Sequence, residues 1–345
     1  MPNVRSEATM FEFLTYPQVG PEDWRYTSQC AQVRAMEMQL LSRAVLMDMA
    51  NAPDFAGAVA SLTVGEYAMP QGGGRFDDIQ AILLEKRSAV RALFADWMLD
   101  ERIVTLFRSR DDYANLRLAL RRVLTDKPVG SDYSEDGNVP PDVLARAFEE
   151  ENYGLFPDSL REAAEQAVLA YYQNKDVREI DATIDRCEAE YKMAAAEQIG
   201  HPFLLNLFRM QIDLTNVRTL LRVKFRDADP RGVFLPGGFI EADRLRHAQE
   251  SAYETLGQLF FATPYYRLVE QGAGYVASSQ SFLKIEQQCE EYIGGYLKAT
   301  SQVTAGPQPI IAFLLTKEQE IRTVRLILTA KKNQLDTKLI LDRIA

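Results

Sequence analysis

The 345-residue sequence has few of the residues that carry chemistry in enzymes, with three cysteines and two histidines. Cys30, Cys187 and Cys289 are far apart and odd in number, which argues against a disulfide framework. They form no Cys-x-x-Cys pair, and neither His201 nor His247 has a partner at the spacing of a metal site. We therefore predict no catalytic residue, no metal site, no cofactor and no direct small-molecule substrate.

Long apolar runs and an excess of positive charge are also missing. The longest notable apolar run, residues 310–315, is far shorter than the roughly 20 residues that span a bilayer. The N-terminus has no apolar core and carries Glu7, so no signal peptide is expected. The 39 basic and 49 acidic residues give a net charge of −10, which disfavours nucleic acid and anionic lipid as partners.

Glycine and proline are absent from three long stretches, residues 75–127, 158–199 and 310–345. Glycine and proline are both disfavoured in the interior of a helix, and apolar residues recur in these stretches at spacings of three and four. We find no series of short alternating segments typical of strands. The sequence predicts an all-α fold.

One ten-residue pattern occurs three times, and other markers repeat with it. Each copy has an acid five residues before an arginine, and the successive arginines are 101 and 107 residues apart. A second marker, Gly137 followed by Val139, recurs as Gly238 followed by Ile240, again 101 residues on. The three copies are residues 112–121 (DYANLRLALR), 213–222 (DLTNVRTLLR) and 320–329 (EIRTVRLILT). Several markers at one offset predict three similar helical domains, at residues 30–134, 135–235 and 236–345, behind an N-terminal arm of residues 1–29.

Two interpretations of the repeated polar residues are open. They form structural pairs or bridge neighbouring helices within each domain, because charges on packed helices are usually paired. Alternatively, the three arginines face a shared axis or a partner. The residues concerned are Asp112, Asn115, Arg117, Asp213, Asn216, Arg218, Glu320 and Arg325.

Four segments of the sequence resemble a known family. Residues 212–222 (IDLTNVRTLLR) look like the central signature of the C subunit of prokaryotic V/A-type ATPases, the counterpart of the d subunit in eukaryotic vacuolar ATPases. Residues 306–318 (GPQPIIAFLLTKE) and 321–328 (IRTVRLIL) are similar to the C-terminal motifs of that family, with Thr323 where asparagine is usual. Residues 235–240 (LPGGFI) match as a Pro-Gly-Gly turn before a helix.

The resemblance implies three similar helical domains arranged like a funnel around a pseudo-threefold axis. It implies a non-catalytic central-stalk subunit that connects the shaft of subunits D and F to the membrane proteolipid ring and transmits torque for ATP-coupled ion transport. Such a subunit is peripheral, on the cytoplasmic side of the membrane. The alternative is an all-helical scaffold unrelated to rotary ATPases. We also predict partner-facing turns at Pro236, Gly237 and Gly238 and at Gly306 and Pro307.

Overall fold

The computed structural model describes residues 16–63, 67, 75–128, 130, 132–227 and 232–344. These residues form fifteen α-helices and no β-strand, so the all-α prediction is confirmed. The helices are α1 (Thr27–Glu37), α2 (Arg43–Asn51), α3 (Phe55–Ala60), α4 (Phe76–Trp97), α5 (Glu101–Val123), α6 (Pro141–Glu149), α7 (Asp158–Asn174), α8 (Val177–Ile199), α9 (Pro202–Arg226), α10 (Ala242–Glu250), α11 (Tyr253–Leu256), α12 (Tyr266–Ser279), α13 (Leu283–Ala299), α14 (Pro307–Lys332) and α15 (Thr337–Ile344).

The helix boundaries follow from capping residues and helix breakers. Asp100, Asp176 and His201 precede α5, α8 and α9, and each side chain accepts a hydrogen bond from the backbone N–H two residues on, at 3.0, 2.9 and 3.3 Å. Such bonds satisfy donors that have no partner within the helix. Proline stands first in α9 and α14, where its missing N–H costs nothing. Short polar caps therefore separate consecutive long helices.

Residues Asp100–Glu250 form one compact unit, centred on α5. Helices α6, α7 and α8 pack against α5, while α9 packs against α8 and α10 against α9. Leu116 and Leu120 of α5 are fully buried between Phe148 of α6, Leu160 of α7 and Ile184 of α8. Burial of side chains of this size stabilises the fold by about 1.5–3 kcal/mol each. This core runs through the predicted boundary at residues 134 and 135.

The described residues up to Leu99 join those from Ser251 onward in a second compact unit, centred on α14. Helices α2, α3 and α4 pack against α14, so residues from both ends of the sequence share one core. In this core, Met49 and Leu83 are buried with Val324, Leu328 and Ile340. The three boundaries predicted from the repeat stay a prediction.

The chain before α2 is bound to the start of α14. The side-chain amide of Gln308 donates to the carbonyls of Val19 and Pro21 at 3.0 and 2.8 Å. The N–H of Asp23 donates to the carbonyl of Ala305 at 2.9 Å, and the thiol of Cys30 contacts the carbonyl of Gly306 at 3.3 Å. Residues 16–29 of the predicted arm are therefore part of the packed unit. Residues 1–15 lie outside the described part of the chain.

Candidate functional site

The repeated acid of α9 binds the segment that leads into α10. Asp213 is fully buried, and its two carboxylate oxygens accept hydrogen bonds from the backbone N–H of Ile240 at 3.0 Å and of Phe239 at 3.1 Å. A buried carboxylate is costly unless it is hydrogen-bonded, and a buried N–H is costly without an acceptor. We call such a carboxylate, with the backbone N–H groups that it binds, an acid clamp.

Asp112 of α5 forms the same clamp one copy earlier. It accepts hydrogen bonds from the backbone N–H groups of Asn138 and Val139 at 2.7 and 2.9 Å, and from the side-chain amide of Asn138 at 2.7 Å. Burial raises the pKa of Asp112, while these hydrogen bonds oppose the shift. Because both acids bind residues 26 and 27 positions later, the repeat in sequence is also a repeat in hydrogen bonding.

The repeated asparagine adds a second clasp to each clamp. Asn115 exchanges two hydrogen bonds with the backbone of Ser134, both at 2.9 Å. Asn216 does the same with Leu235, at 2.9 and 2.8 Å. A side-chain amide presents one donor and one acceptor face, so it can replace a missing backbone partner. Each connecting segment is thus held at two points by the preceding long helix.

The repeated glycine is explained by the same contact. A Cβ atom on Gly238 would lie 2.2 Å from Oδ1 of Asp213, and one on Gly137 would lie 2.4 Å from Oδ1 of Asp112. Any side chain at either position would push the carboxylate away from its N–H donors. Glycine and acid therefore recur together in these two clamps, because each carboxylate occupies the space that a side chain at the glycine position would need.

Glu320 of α14 makes the third acid clamp with a different part of the chain. It accepts hydrogen bonds from the backbone N–H of Leu41 at 2.5 Å, from the hydroxyl of Tyr67 at 2.7 Å and from the ammonium of Lys317 at 2.7 Å. Leu41 lies two residues before α2, just as Val139 precedes α6 and Ile240 precedes α10. The third clamp therefore joins a C-terminal helix to the N-terminal part of the chain.

Thr323 replaces the repeated asparagine in α14 and makes no such clasp. Its hydroxyl donates to the carbonyl of Gln319, one turn earlier in the same helix, at 3.0 Å. The third clamp instead gains Lys317, which lies beside Glu320 in the interior. Glu318 is also buried and pairs with Arg91 of α4 at 2.5 Å. The third clamp therefore includes an ion pair.

The first two repeated arginines have acceptors within the chain. Arg117 of α5 pairs with Asp185 of α8 and lies 3.8 Å from Asp181. Burial raises the pKa of Asp185, and the charge of Arg117 opposes that shift. Arg218 donates to the carbonyl of Leu214 at 3.2 Å, in its own helix. Arg117 thus bridges neighbouring helices, one of the roles predicted from the sequence.

Arg325, the third repeated arginine, is different. It is half-buried, and its Nε, like that of Arg117, is enclosed without an acceptor, but unlike Arg117 it has no ion pair with any of the described residues. The pKa of Arg325 lies below its usual range, first because burial disfavours the charged form and second because Arg87 of α4 lies nearby.

The predicted partner-facing turns differ in exposure. Pro236 and Gly237 are exposed, and Gly238 is half-buried against Asp213. Gly306 and Pro307 are buried, and residues 19–30 of the chain bind the segment around them. Partner contact at either turn stays a prediction, but the second turn is covered by the chain's own N-terminal segment.

The histidines and cysteines occupy structural positions. In the described ranges, no group of three His, Cys, Asp or Glu side chains is placed to hold a metal ion. His201 caps α9, Nδ1 of His247 contacts the carbonyl of Asp243, and all three cysteines are buried and none of them forms a disulfide. No helix among the described residues is both long and apolar enough to cross a bilayer.

A model of the family described as ATP synthase (C/AC39) subunit matches residues 29–343. The chain belongs to the ATP synthase C/AC39 subunit family. This confirms the resemblance recognised from residues 212–222, 306–318 and 321–328.

Members of the C/AC39 family from bacteria and archaea align with most of this chain. The C subunit of the V-type sodium ATPase of Enterococcus hirae is 25% identical over 318 residues, which cover 90% of this chain and 95% of the relative. The C subunit of the A-type ATP synthase of Thermococcus kodakarensis is 26% identical over 326 residues, covering 88% and 86%. The C subunit of the V-type ATP synthase of Thermus thermophilus is 23% identical over 247 residues, covering 69% and 75%.

The sequence patterns of this C/AC39 family member identify the acids, asparagines and glycines of the clamps, but not all of the residues that hydrogen-bond to them. The acids, asparagines and glycines were identified because they repeat at one offset. Leu41, Tyr67 and Lys317 were missed, because none belongs to a repeated pattern and two of them precede Glu320 by more than 250 residues. A signal for Lys317 does exist, since it stands three residues before Glu320, a spacing at which opposite charges on one helix meet.

Proposed function

We propose that this chain is the non-catalytic central-stalk subunit of a V/A-type ATPase. It connects the shaft of subunits D and F to the proteolipid ring and transmits torque for ATP-coupled ion transport. The observation that carries the proposal is the family match over residues 29–343, together with relatives named as the C subunits of V-type and A-type enzymes. Membership of this family is inconsistent with the alternative of a scaffold unrelated to rotary ATPases.

The acid clamps support this role on physical grounds. A connector in a rotating assembly must transmit torque without yielding, and irregular connections between helices are its weakest points. Each acid clamp replaces water around such a connection with buried hydrogen bonds to a long helix. Breaking one leaves a buried carboxylate and its donors without partners, which costs about 1–3 kcal/mol for each unsatisfied group. The connections therefore resist bending.

The proposed location is the cytoplasmic face of the membrane, as a peripheral subunit. No helix of the described residues is suited to crossing a bilayer, and the net charge of −10 gives no attraction to anionic lipid. Docking then depends on the proteolipid ring, a protein surface. We further propose three similar domains around a pseudo-threefold axis. In support, the first two acid clamps have the same geometry, and in the third clamp the bound N–H again lies two residues before a helix, here α2.

Binding to the proposed partners tests the role directly. The purified chain is titrated into an immobilised complex of subunits D and F, and separately into the detergent-solubilised proteolipid ring of the same organism. The proposal predicts specific binding to both and a ternary assembly when all three are mixed. The catalytic head without the shaft serves as the control surface. If the chain fails to bind the shaft, or fails to bind the ring, the connecting role is refuted.

A further inference from the structure

Arg325 differs from Arg117 and Arg218, the corresponding arginines of the other two copies, in its contacts within the chain. Arg117 is ion-paired and Arg218 donates to its own helix, whereas Arg325 has neither a hydrogen-bond acceptor nor an ion-pair partner in the part of the chain that the structure describes. A half-buried guanidinium with its Nε shielded from water keeps the cost of desolvation without an interaction that offsets it. Such a group is suited to an acceptor from outside.

The two carboxylates of α14, those of Glu318 and Glu320, are already engaged. Glu318 pairs with Arg91, and Glu320 accepts hydrogen bonds from Leu41, Tyr67 and Lys317. Glu85 of α4 aligns with Asp185 in the repeat, yet it forms no ion pair with Arg325 among the described contacts. The nearest charged group with a resolved effect on Arg325 is Arg87, which is also positive. Two arginines therefore lie near each other at this position.

The chemistry of the missing acceptor follows from the related copy. At the corresponding position of α5, Arg117 binds the carboxylate of Asp185 and lies 3.8 Å from that of Asp181. Arginine presents a planar fork of donors that matches a carboxylate. We propose that Arg325 binds a carboxylate side chain supplied by a protein partner of the rotor. This inference rests on the proposed function, since it assumes that shaft or ring docks on this chain.

Binding measurements with Arg325→Gln test the inference. Dissociation constants for the D–F shaft and for the solubilised ring are measured for the wild type and the variant at low and high salt. We expect the variant to bind one of the two partners at least about tenfold more weakly, with a shallower salt dependence, and the other unchanged. Equal affinities for both partners would overturn the inference. If the wild type itself binds neither partner, the proposed function fails instead.

Thermal melting of the isolated chain separates a partner-binding arginine from a structural one. Arg325→Gln should melt no lower than the wild type, because no internal ion pair is lost. Arg117→Gln is the matched control and should melt lower, because it leaves Asp185 without its arginine. A clear loss of stability in Arg325→Gln would overturn the inference, since it would require an acceptor within the chain.

The acceptor for Arg325 could also be a free anion from solution instead of a carboxylate of a partner protein. Inorganic phosphate and acetate are added separately to the wild type and to Arg325→Gln during melting. The inference predicts no stabilisation at millimolar concentration that depends on Arg325. The anion could instead stabilise the wild type but not Arg325→Gln, while the substitution leaves the affinities for both partners unchanged. That result would show that Arg325 binds a small anion, and it would overturn the inference that Arg325 binds a carboxylate of a partner.

Discussion

The carboxylate of Asp213 accepts a hydrogen bond from the backbone N–H of Ile240 at 3.0 Å, 27 residues further along the chain. The same span separates Asp112 from Val139, whose bond measures 2.9 Å. In both cases the bound residue lies two positions before a nine-residue helix, α6 or α10. The repeated acid therefore sets where the next group of helices begins, which is a structural role in each copy.

Replacing the clamp glycine should weaken the fold. Gly238→Ala places a Cβ atom 2.2 Å from Oδ1 of Asp213, so the carboxylate or the segment must move. We expect the free energy of unfolding to fall by about 1–3 kcal/mol, as in other overpacked sites. Gly274→Ala in α12 is the control, because its Cβ would meet nothing within 4 Å and alanine favours a helix. Denaturant titration of both variants checks this; equal stability of the two would contradict the steric explanation.

Removing an asparagine clasp should lower the free energy of unfolding. Asn216→Ala removes both hydrogen bonds to the backbone of Leu235 and leaves those groups without their partner. We expect a loss of about 1–3 kcal/mol in the free energy of unfolding. Thr323→Ala, at the corresponding position of α14, removes a bond within one helix and should change stability by less than about 1 kcal/mol. A larger effect from Thr323 than from Asn216 would contradict the assignment.

The ion pair in the third clamp should be strongly coupled. Glu320→Gln leaves the buried ammonium of Lys317 without this carboxylate, and we expect a loss of about 3 kcal/mol or more. The double variant Glu320→Gln/Lys317→Met removes both charges and should recover part of that loss. A double-mutant cycle of unfolding free energies measures the coupling. Strict additivity of the two single substitutions would show that the pair contributes nothing.

The buried carboxyl group of Asp112 should make the free energy of unfolding depend on pH. Burial raises the pKa of Asp112 in the folded chain above the ordinary value of 3.8. The folded state then binds this proton more tightly than the unfolded state. The contribution of this group to the free energy of unfolding is therefore greatest below pH 3.8 and falls as the pH rises through the folded pKa.

Comparison with Asp112→Asn isolates this contribution. The unfolding free energy of the wild type minus that of the variant should decrease as the pH rises from about 3 to 7. Denaturant titration at several pH values, with Asp142→Asn on the surface of α6 as control, provides the measurement. An increase over this range would mean that hydrogen bonding outweighs burial at Asp112.

The sequence supports the all-helical fold and the residues of the clamps because both depend on short-range patterns. Apolar spacing and the absence of glycine and proline predict helices, and a fixed offset identifies Asp112 with Asp213 and Gly137 with Gly238. The pairing of each acid with its glycine was not predicted, since the two lie more than 20 residues apart and only the folded chain brings them together.

The closure of the third clamp could not be predicted for a different reason. Glu320 and Leu41 are 279 residues apart, and their contact depends on α2, α3 and α4 packing on α14. No local pattern encodes such a long-range association. The same packing brings Arg87 near Arg325, and that Arg325 lacks an acceptor among the described residues is likewise seen only in the folded structure.

Coupling in a reconstituted enzyme tests the central claim most directly. Vesicles carrying the complete V/A-type complex, and the same complex assembled without this chain, are supplied with ATP while ion uptake and ATP hydrolysis are recorded together. The proposed function predicts that hydrolysis drives ion uptake only when the chain is present, and that adding back the purified protein restores uptake. Equal ion uptake per ATP with and without it would contradict its role as the connector between shaft and ring.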